Sequence, residues 1–135
     1  MVLITSKKHP FVKSKSAEEP VNLLDFKDEP FVFMNKKSTN RDVIDEIFKN
    51  AGFEPKILFE TTYTSSIVRA VEFNLCCAVV PHYYAKPENK KLSYFRLKDY
   101  PSWDVAISYK KDSYLSKPAK AFIELAKKYY SDKML

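Results

Sequence analysis

The chain has 135 residues, 45% of them apolar and 15% aromatic, which is enough for one domain with a real core and too apolar for a disordered tail. Its single glycine, Gly52, excludes glycine-rich phosphate loops and dinucleotide fingerprints. The formal charge of +6 favours anionic partners in general, but the lysines are scattered and arginine is limited to Arg41, Arg69 and Arg96, so a solvated lysine surface explains the charge better than a base-reading groove.

No stretch reaches the ~18 apolar residues of a membrane span. The opening MVLITSKKHP has neither the apolar core nor the cleavage site of a signal peptide. Two cysteines without a secretory context lead to the expectation of a reducing cytoplasm and no membrane partner.

In chain order, VLIT (2–5) reads as a short buried strand. The polar, proline-punctuated stretch 7–30 reads as an extended connection, and FVFM (31–34) as the next strand. RDVIDEIFKNAG (41–52) is a helix: Val43, Ile44, Ile47, Phe48 and Ala51 recur at helical spacing. Thr39 is the expected cap, Gly52 supplies the left-handed stop, and Phe53 closes the end. KILFE (56–60) is a strand. A helix over about 64–74 follows, with Ile67, Val68, Val71 and Leu75 on one side.

CCAVV (76–80) is read as a buried strand stopped by Pro81. Neighbouring strand residues point apart, so Cys76 and Cys77 are expected on opposite faces, as buried small apolar residues rather than as a disulfide or metal site. LSYFRL (92–97) and WDVAISY (103–109) are further strands. A last helix spans about 117–130, capped by Ser116, with Pro118 in its first turn and an apolar stripe of Ala119, Phe122, Ile123 and Ala126. Trp103, Tyr129 and Tyr130 read as packing residues.

Alternating strands and helices over 31–80 predict parallel strands joined by right-handed crossovers. The fold class is α/β, a central mostly parallel sheet with helices on both faces. In such sheets ligands bind beyond the carboxyl ends of the strands, which here carry NKKSTN (35–40), TTYTSS (61–66) and PHYY (81–84). Six consecutive hydroxyl residues at 61–66, next to a helix N-terminus, suit a carboxylate, phosphate or sulfate, with Lys36, Lys37 or Arg41 adding charge. Any single hydroxyl, such as Thr39, Thr64 or Ser65, is explained as well by helix capping. His82 is the one histidine near a strand end. Asp42, Asp45 and Glu46 read as solvated charge. No catalytic pair, metal set or cofactor motif is present in the sequence, so no cofactor and no enzyme activity are expected.

The order of segments resembles the C-terminal part of the effector-binding domain of LysR-type transcriptional regulators. VLITSKKHPF is similar to that family's crossover strand ending in His-Pro. VNLLDFKDEPFVFM, RDVIDEIFKNAGFEPKILFE, IVRAVEFNLCCAVVP and SKPAKAFIEL resemble the pieces that follow it, in the same order. Two departures stand out: Asn74 and Cys76 occupy positions where the family usually has glycine. Asn tolerates left-handed dihedrals, whereas Cys76 adds bulk at a close-packed corner.

The resemblance implies a type II periplasmic-binding-protein-like lobe. It divides the chain into a crossover strand and hinge (1–12), a second effector lobe (13–102), and a return strand and terminal helix belonging to the first lobe (103–135). The rest of the first lobe and the winged helix-turn-helix domain are expected to lie outside this chain, so DNA would be reached only through that separate domain. The implied ligand is a small, anionic metabolite contacting Ser6, Ser38, Thr39, Thr61, Thr62, Tyr63, Thr64 and His82. Lobe closure on the effector would then be passed on through a homo-oligomer. That oligomer is expected from exposed edges of VLIT and DVAISY and from the face of the terminal helix. The competing expectations are a solute-binding protein or enzyme built on the same lobe, and a nucleic-acid-binding domain suggested by charge alone.

Overall fold

The structure is a computed structural model and describes residues 1–14, 19–86, 88–99, 101–102 and 106–131. The chain divides into two compact units, Met1–Trp103 and Asp104–Leu135. Among the described residues the first unit holds strands β1 (Val2–Ser6), β2 (Pro30–Met34), β3 (Lys56–Thr61), β4 (Ala78–Val80) and β5 (Leu92–Arg96), with helices α1 (Thr39–Ala51) and α2 (Thr64–Glu72).

β1 is central. It pairs antiparallel with β4, Val2 opposite Val80, and antiparallel with β5, Val2 opposite Arg96. β2 and β3 pair in parallel, with a bulge between Phe31 and Val32. Cys77 joins the two sets through a parallel bridge to Phe31. Its N–H donates to the Pro30 carbonyl at 2.8 Å, and its carbonyl accepts from Val32 at 3.0 Å. The resulting spatial order is β3-β2-β4-β1-β5, with β1 alone running against the rest. The expected parallel character therefore holds for strand direction, while the pairings divide into a parallel half and an antiparallel half.

Period-two alternation places a core on each face of this layer. Leu3, Phe31, Phe33, Cys77, Val79 and Phe95 face α1, which contributes Ile44 and Phe48. Phe48 seats edge-on against both Phe31 (4.9 Å) and Phe33 (5.2 Å). Val2, Ile4, Val32, Cys76, Ala78 and Val80 face α2, which contributes Ile67, Ala70 and Val71. Cys76 and Cys77 are free and buried on opposite faces, as their adjacency predicts. Burial pushes the Cys76 thiol up to about 11. Burial, with the charge of Glu29 and the neighbouring Cys76 adding, pushes the Cys77 thiol up to about 12.

Turn chemistry matches the sequence in some places and departs from it in others. Gly52 ends α1 at φ 80° and Asn74 follows α2 at φ 59°, so Asn74 does take the left-handed position. Phe53 closes against Phe48, ring to ring at 5.4 Å. The cap of α1, however, is Ser38 and not Thr39, and Ser38 makes no side-chain cap bond. Leu75 is turned outward by the left-handed Asn74 and is exposed, not part of the apolar side of α2. The 7–30 connection contains two short 3-10 turns, Pro10–Lys13 and Leu23–Phe26, started by the side chains of His9 and Asn22.

Two expectations about edges are overturned. β1 is not an exposed edge, because partners on both sides bury Val2 to Ser6. β3 is not a covered strand: it lies at the end of the layer, and Ile57, Leu58 and Phe59 are exposed. An apolar run fits either an edge or a centre, and only the pairing order decides.

In the second unit, the expected strand at 103–109 falls partly outside the described residues, and 106–110 carry no strand. Helix α3 (Lys117–Ser131) is present and buries none of its residues. The Ser116 hydroxyl accepts from the Ala119 N–H at 3.3 Å, which makes Ser116 the expected cap.

The thiols make a prediction. At neutral pH both should resist a disulfide reagent until the chain unfolds. Their folded values lie above the ordinary 9.0, so the neutral form is favoured by folding. That contribution is complete below pH 9 and is lost as pH rises toward about 11 and about 12, at a slope of about 1.4 kcal/mol per pH unit per thiol. Urea unfolding of Cys77→Val should show a shallower alkaline decline than the parent chain, and an equal decline would refute the assignment.

Candidate functional site

Because β2, β3 and β4 run in one direction, the turns that follow them meet at one end of the layer. Specific hydrogen bonds join these turns. The Asn35 N–H donates to the Thr61 carbonyl at 3.0 Å, linking the turns after β2 and β3. The Thr64 hydroxyl donates to the Tyr84 Oη at 3.3 Å, linking the turns after β3 and β4. Ser38, Thr39, Thr61, Thr62, Tyr63, Thr64 and His82 therefore share one rim, from which α1 and α2 both start.

Ser6 does not join them. β1 runs against β4, so its N-terminal Val2 sits level with Val80 at the rim while Ser6 lies four residues away, about 13 Å along the strand. Ser6 is also buried, with its hydroxyl accepting from the Lys8 N–H at 3.2 Å. Strand direction, which residue types do not reveal, separates it from the rim.

The hydroxyls are not consumed by capping. The cap of α2 is Tyr63, which makes no side-chain cap bond, and Tyr63 itself is exposed. Thr61 Oγ1 accepts from the Tyr63 N–H at 3.2 Å and so shapes the turn. The side chains of Ser38, Thr39 and Thr62 form no hydrogen bond with a described residue. The first N–H groups of both helices consequently face the rim without a side-chain acceptor. His82 is exposed and opens a 3-10 turn, His82–Tyr84.

Arg41 departs from the expectation that it adds charge for a ligand. It is buried, and its charge is already committed. Nε donates to Asp45 Oδ1 at 2.7 Å, and Nη1 donates to Glu60 Oε1 at 2.6 Å and to the Met34 carbonyl at 2.9 Å. Burial alone would weaken its hold on the proton, but the hydrogen bonds and charges of Glu60 and Asp45 outweigh this and keep it above its ordinary value. Arg41 is therefore not a free cation for a ligand, and Asp45 is not merely solvated. Lys36 and Lys37 remain exposed beside the rim.

Two residues were missed. Asn35 builds the first turn: its side chain accepts from the Lys37 N–H at 3.2 Å and its carbonyl from Ser38 at 3.0 Å. An asparagine directly after a strand was the available signal. Tyr84 follows the same strand as His82, and it is Tyr84 that makes the bond to Thr64. Two surface indentations lie elsewhere, one of about 440 Å³ around Phe48, Phe53 and Pro55, the other of about 300 Å³ between Leu23, Ile47 and Leu97. Neither is lined by the three turns. Among the described residues no group of three or more His, Cys, Asp or Glu is placed to hold a metal ion.

The layer order, with one strand reversed and helices on both faces, is that of a periplasmic-binding-protein-like α/β lobe. The family model of the LysR substrate binding domain matches residues 1–131. YwbI of Bacillus subtilis (strain 168), described as an uncharacterized HTH-type transcriptional regulator, is 33% identical over 118 residues, covering 85% of this chain and 39% of its own length. The effector binding domain of QuiR in complex with shikimate superposes with a TM-score of 0.68 at 19% identity, over 95% of this chain and 59% of that one. The Synechocystis PCC6803 CcmR regulatory domain in complex with 2-PG gives 0.72 at 15% identity, over 92% and 59%. The chain belongs to the LysR substrate-binding domain family. It spans 39% of the length of its curated relative and 59% of each of these two structures. No helix among the described residues is long and apolar enough to cross a membrane.

The junction between the turns can be checked directly. Tyr84→Phe removes the acceptor for Thr64 at a partly exposed site. It should cost about 0.5–1 kcal/mol in urea unfolding, and should speed hydrogen exchange at the Ser66 amide, which donates to the Tyr63 carbonyl in the same turn. No change in either would mean that the two turns are not tied.

Proposed function

We propose that this chain is the effector-sensing part of a cytoplasmic transcriptional regulator, binding a small anionic metabolite without chemical turnover. The rim of Ser38, Thr39, Thr61, Thr62, Tyr63, Thr64 and His82 receives the ligand. The observation that carries this reading is the set of uncommitted hydroxyls beside two helix N-termini, all at one end of the layer. It is supported by the family assignment and by the complexes of QuiR and CcmR domains with small molecules. Ligand binding then favours one arrangement of the regulator's lobes, and a helix-turn-helix domain of the same regulator carries the change to DNA.

Titrating the nitrogen-labelled chain with millimolar shikimate or inorganic phosphate should move amide signals at 35–40, 61–66 and 81–84. Signals around Ser6 and Lys91, at the far end, should stay fixed. Shifts confined to the far end would contradict the rim assignment.

Association between copies, on this reading, runs through β3. Its outer edge is unpaired among the described residues, and Ile57, Leu58 and Phe59 expose apolar surface along it. Leu58→Lys combined with Phe59→Lys should shift sedimentation toward the monomer, because charge on an edge strand opposes pairing. An unchanged mass, or a parent chain that is already monomeric, would reject this.

A further inference from the structure

β3 is held in place by little apolar burial. Residues Lys56 to Glu60 are exposed throughout, yet the turn that follows them supplies half of the rim. What fixes that turn against its neighbour is largely polar. Beyond the β2–β3 ladder and the Asn35–Thr61 backbone bond, the side-chain ties between the ends of β2 and β3 are those made by Arg41. The Arg41 guanidinium reaches the last residue of β2 through the Met34 carbonyl, β3 through Glu60, and the next turn of α1 through Asp45. One of its faces lies over the Phe33 ring, 4.9 Å from the centroid. A planar fork with fixed donor directions sets the relative positions of its acceptors in a way that a single ammonium cannot.

We propose that Arg41 is the positioning residue of the rim, holding the ends of β2 and β3 and the start of α1 as one unit so that the turns at 35–40 and 61–64 present their free hydroxyls in a fixed arrangement. This rests on the rim being the effector site. Arg41 acts through these partners and not by contact with the ligand: it is buried, and its Nε and Nη1 donate to Asp45, Glu60 and Met34. Its assigned contribution is specific geometry, a role that buried ion clusters take in some proteins.

The test is amide hydrogen exchange on the whole chain. In Arg41→Met, the amides of Asn35 and Tyr63 should exchange about tenfold faster relative to those of Val32 and Cys77, whose bonds lie in the middle of the layer. Arg41→Lys should fall between the parent and Arg41→Met. Glu60→Gln and Asp45→Asn, each removing one charge, should give smaller local increases, and they carry the comparison if Arg41→Met does not fold. A uniform increase over all four amides would reduce Arg41 to a general stabiliser and overturn the proposal, as would no increase. The exchange result is independent of any ligand. A chain whose rim ignores shikimate and phosphate, but loosens locally on Arg41 substitution, would count against the effector reading and in favour of the positioning role.

Discussion

The structure of the first unit depends on the two backbone hydrogen bonds of Cys77, to Pro30 and from Val32. They are the seam between an antiparallel triplet and a parallel pair, and they orient the pair relative to the triplet. Reversing that seam would send the turns after β2 and β3 to the opposite end from the turn after β4, and the rim would not exist. The residue at the seam must be small enough for two strands to meet beneath α1, apolar enough for full burial, and able to give up both backbone groups. Cysteine meets all three conditions. The paired cysteines thus serve the sheet, and their raised thiol pKa values follow from that burial rather than from any redox task.

Much of this was legible locally. The stripe of α1 could be read because Ile44 and Phe48 repeat at the helical period, and its end because Gly52 is the only residue there free to turn left-handed. Asn74 was legible for the same reason. The opposite facing of Cys76 and Cys77 follows from strand geometry alone. What escaped was non-local. Ser6 was misplaced because a strand's direction depends on partners far along the chain, Val80 and Arg96. The same ignorance made β1 an expected edge and β3 an expected interior strand. Arg41 looked like a free cation because one of its acceptors, Glu60, lies nineteen residues away.

Of the site, the three turns and their hydroxyls were visible as residue types beyond strand ends. Their junctions were not. Asn35 with Thr61, and Thr64 with Tyr84, meet only because the sheet closes as it does. The capping explanation for a single hydroxyl fails at α1 because Thr39 lies one residue inside the helix and the true cap, Ser38, leaves its side chain unused.

The commitment of Arg41 has a consequence for recognition on the proposed reading. With the single positive charge of Arg41 more than offset by Asp45 and Glu60, an anion at the rim meets mainly neutral donors: the hydroxyls and the first N–H groups of α1 and α2. Lys36 and Lys37 add attraction, but they are exposed and screened beyond about 8–10 Å at ordinary salt. Neutral donors select by position and not by charge, because each hydrogen bond falls off steeply with distance and angle. A site built this way discriminates between anions only while its turns stay where the sheet and the Arg41 cluster put them. On that reading the buried Arg41, which holds the ends of β2 and β3 in place, would weigh more in selectivity than the exposed charges of Lys36 and Lys37.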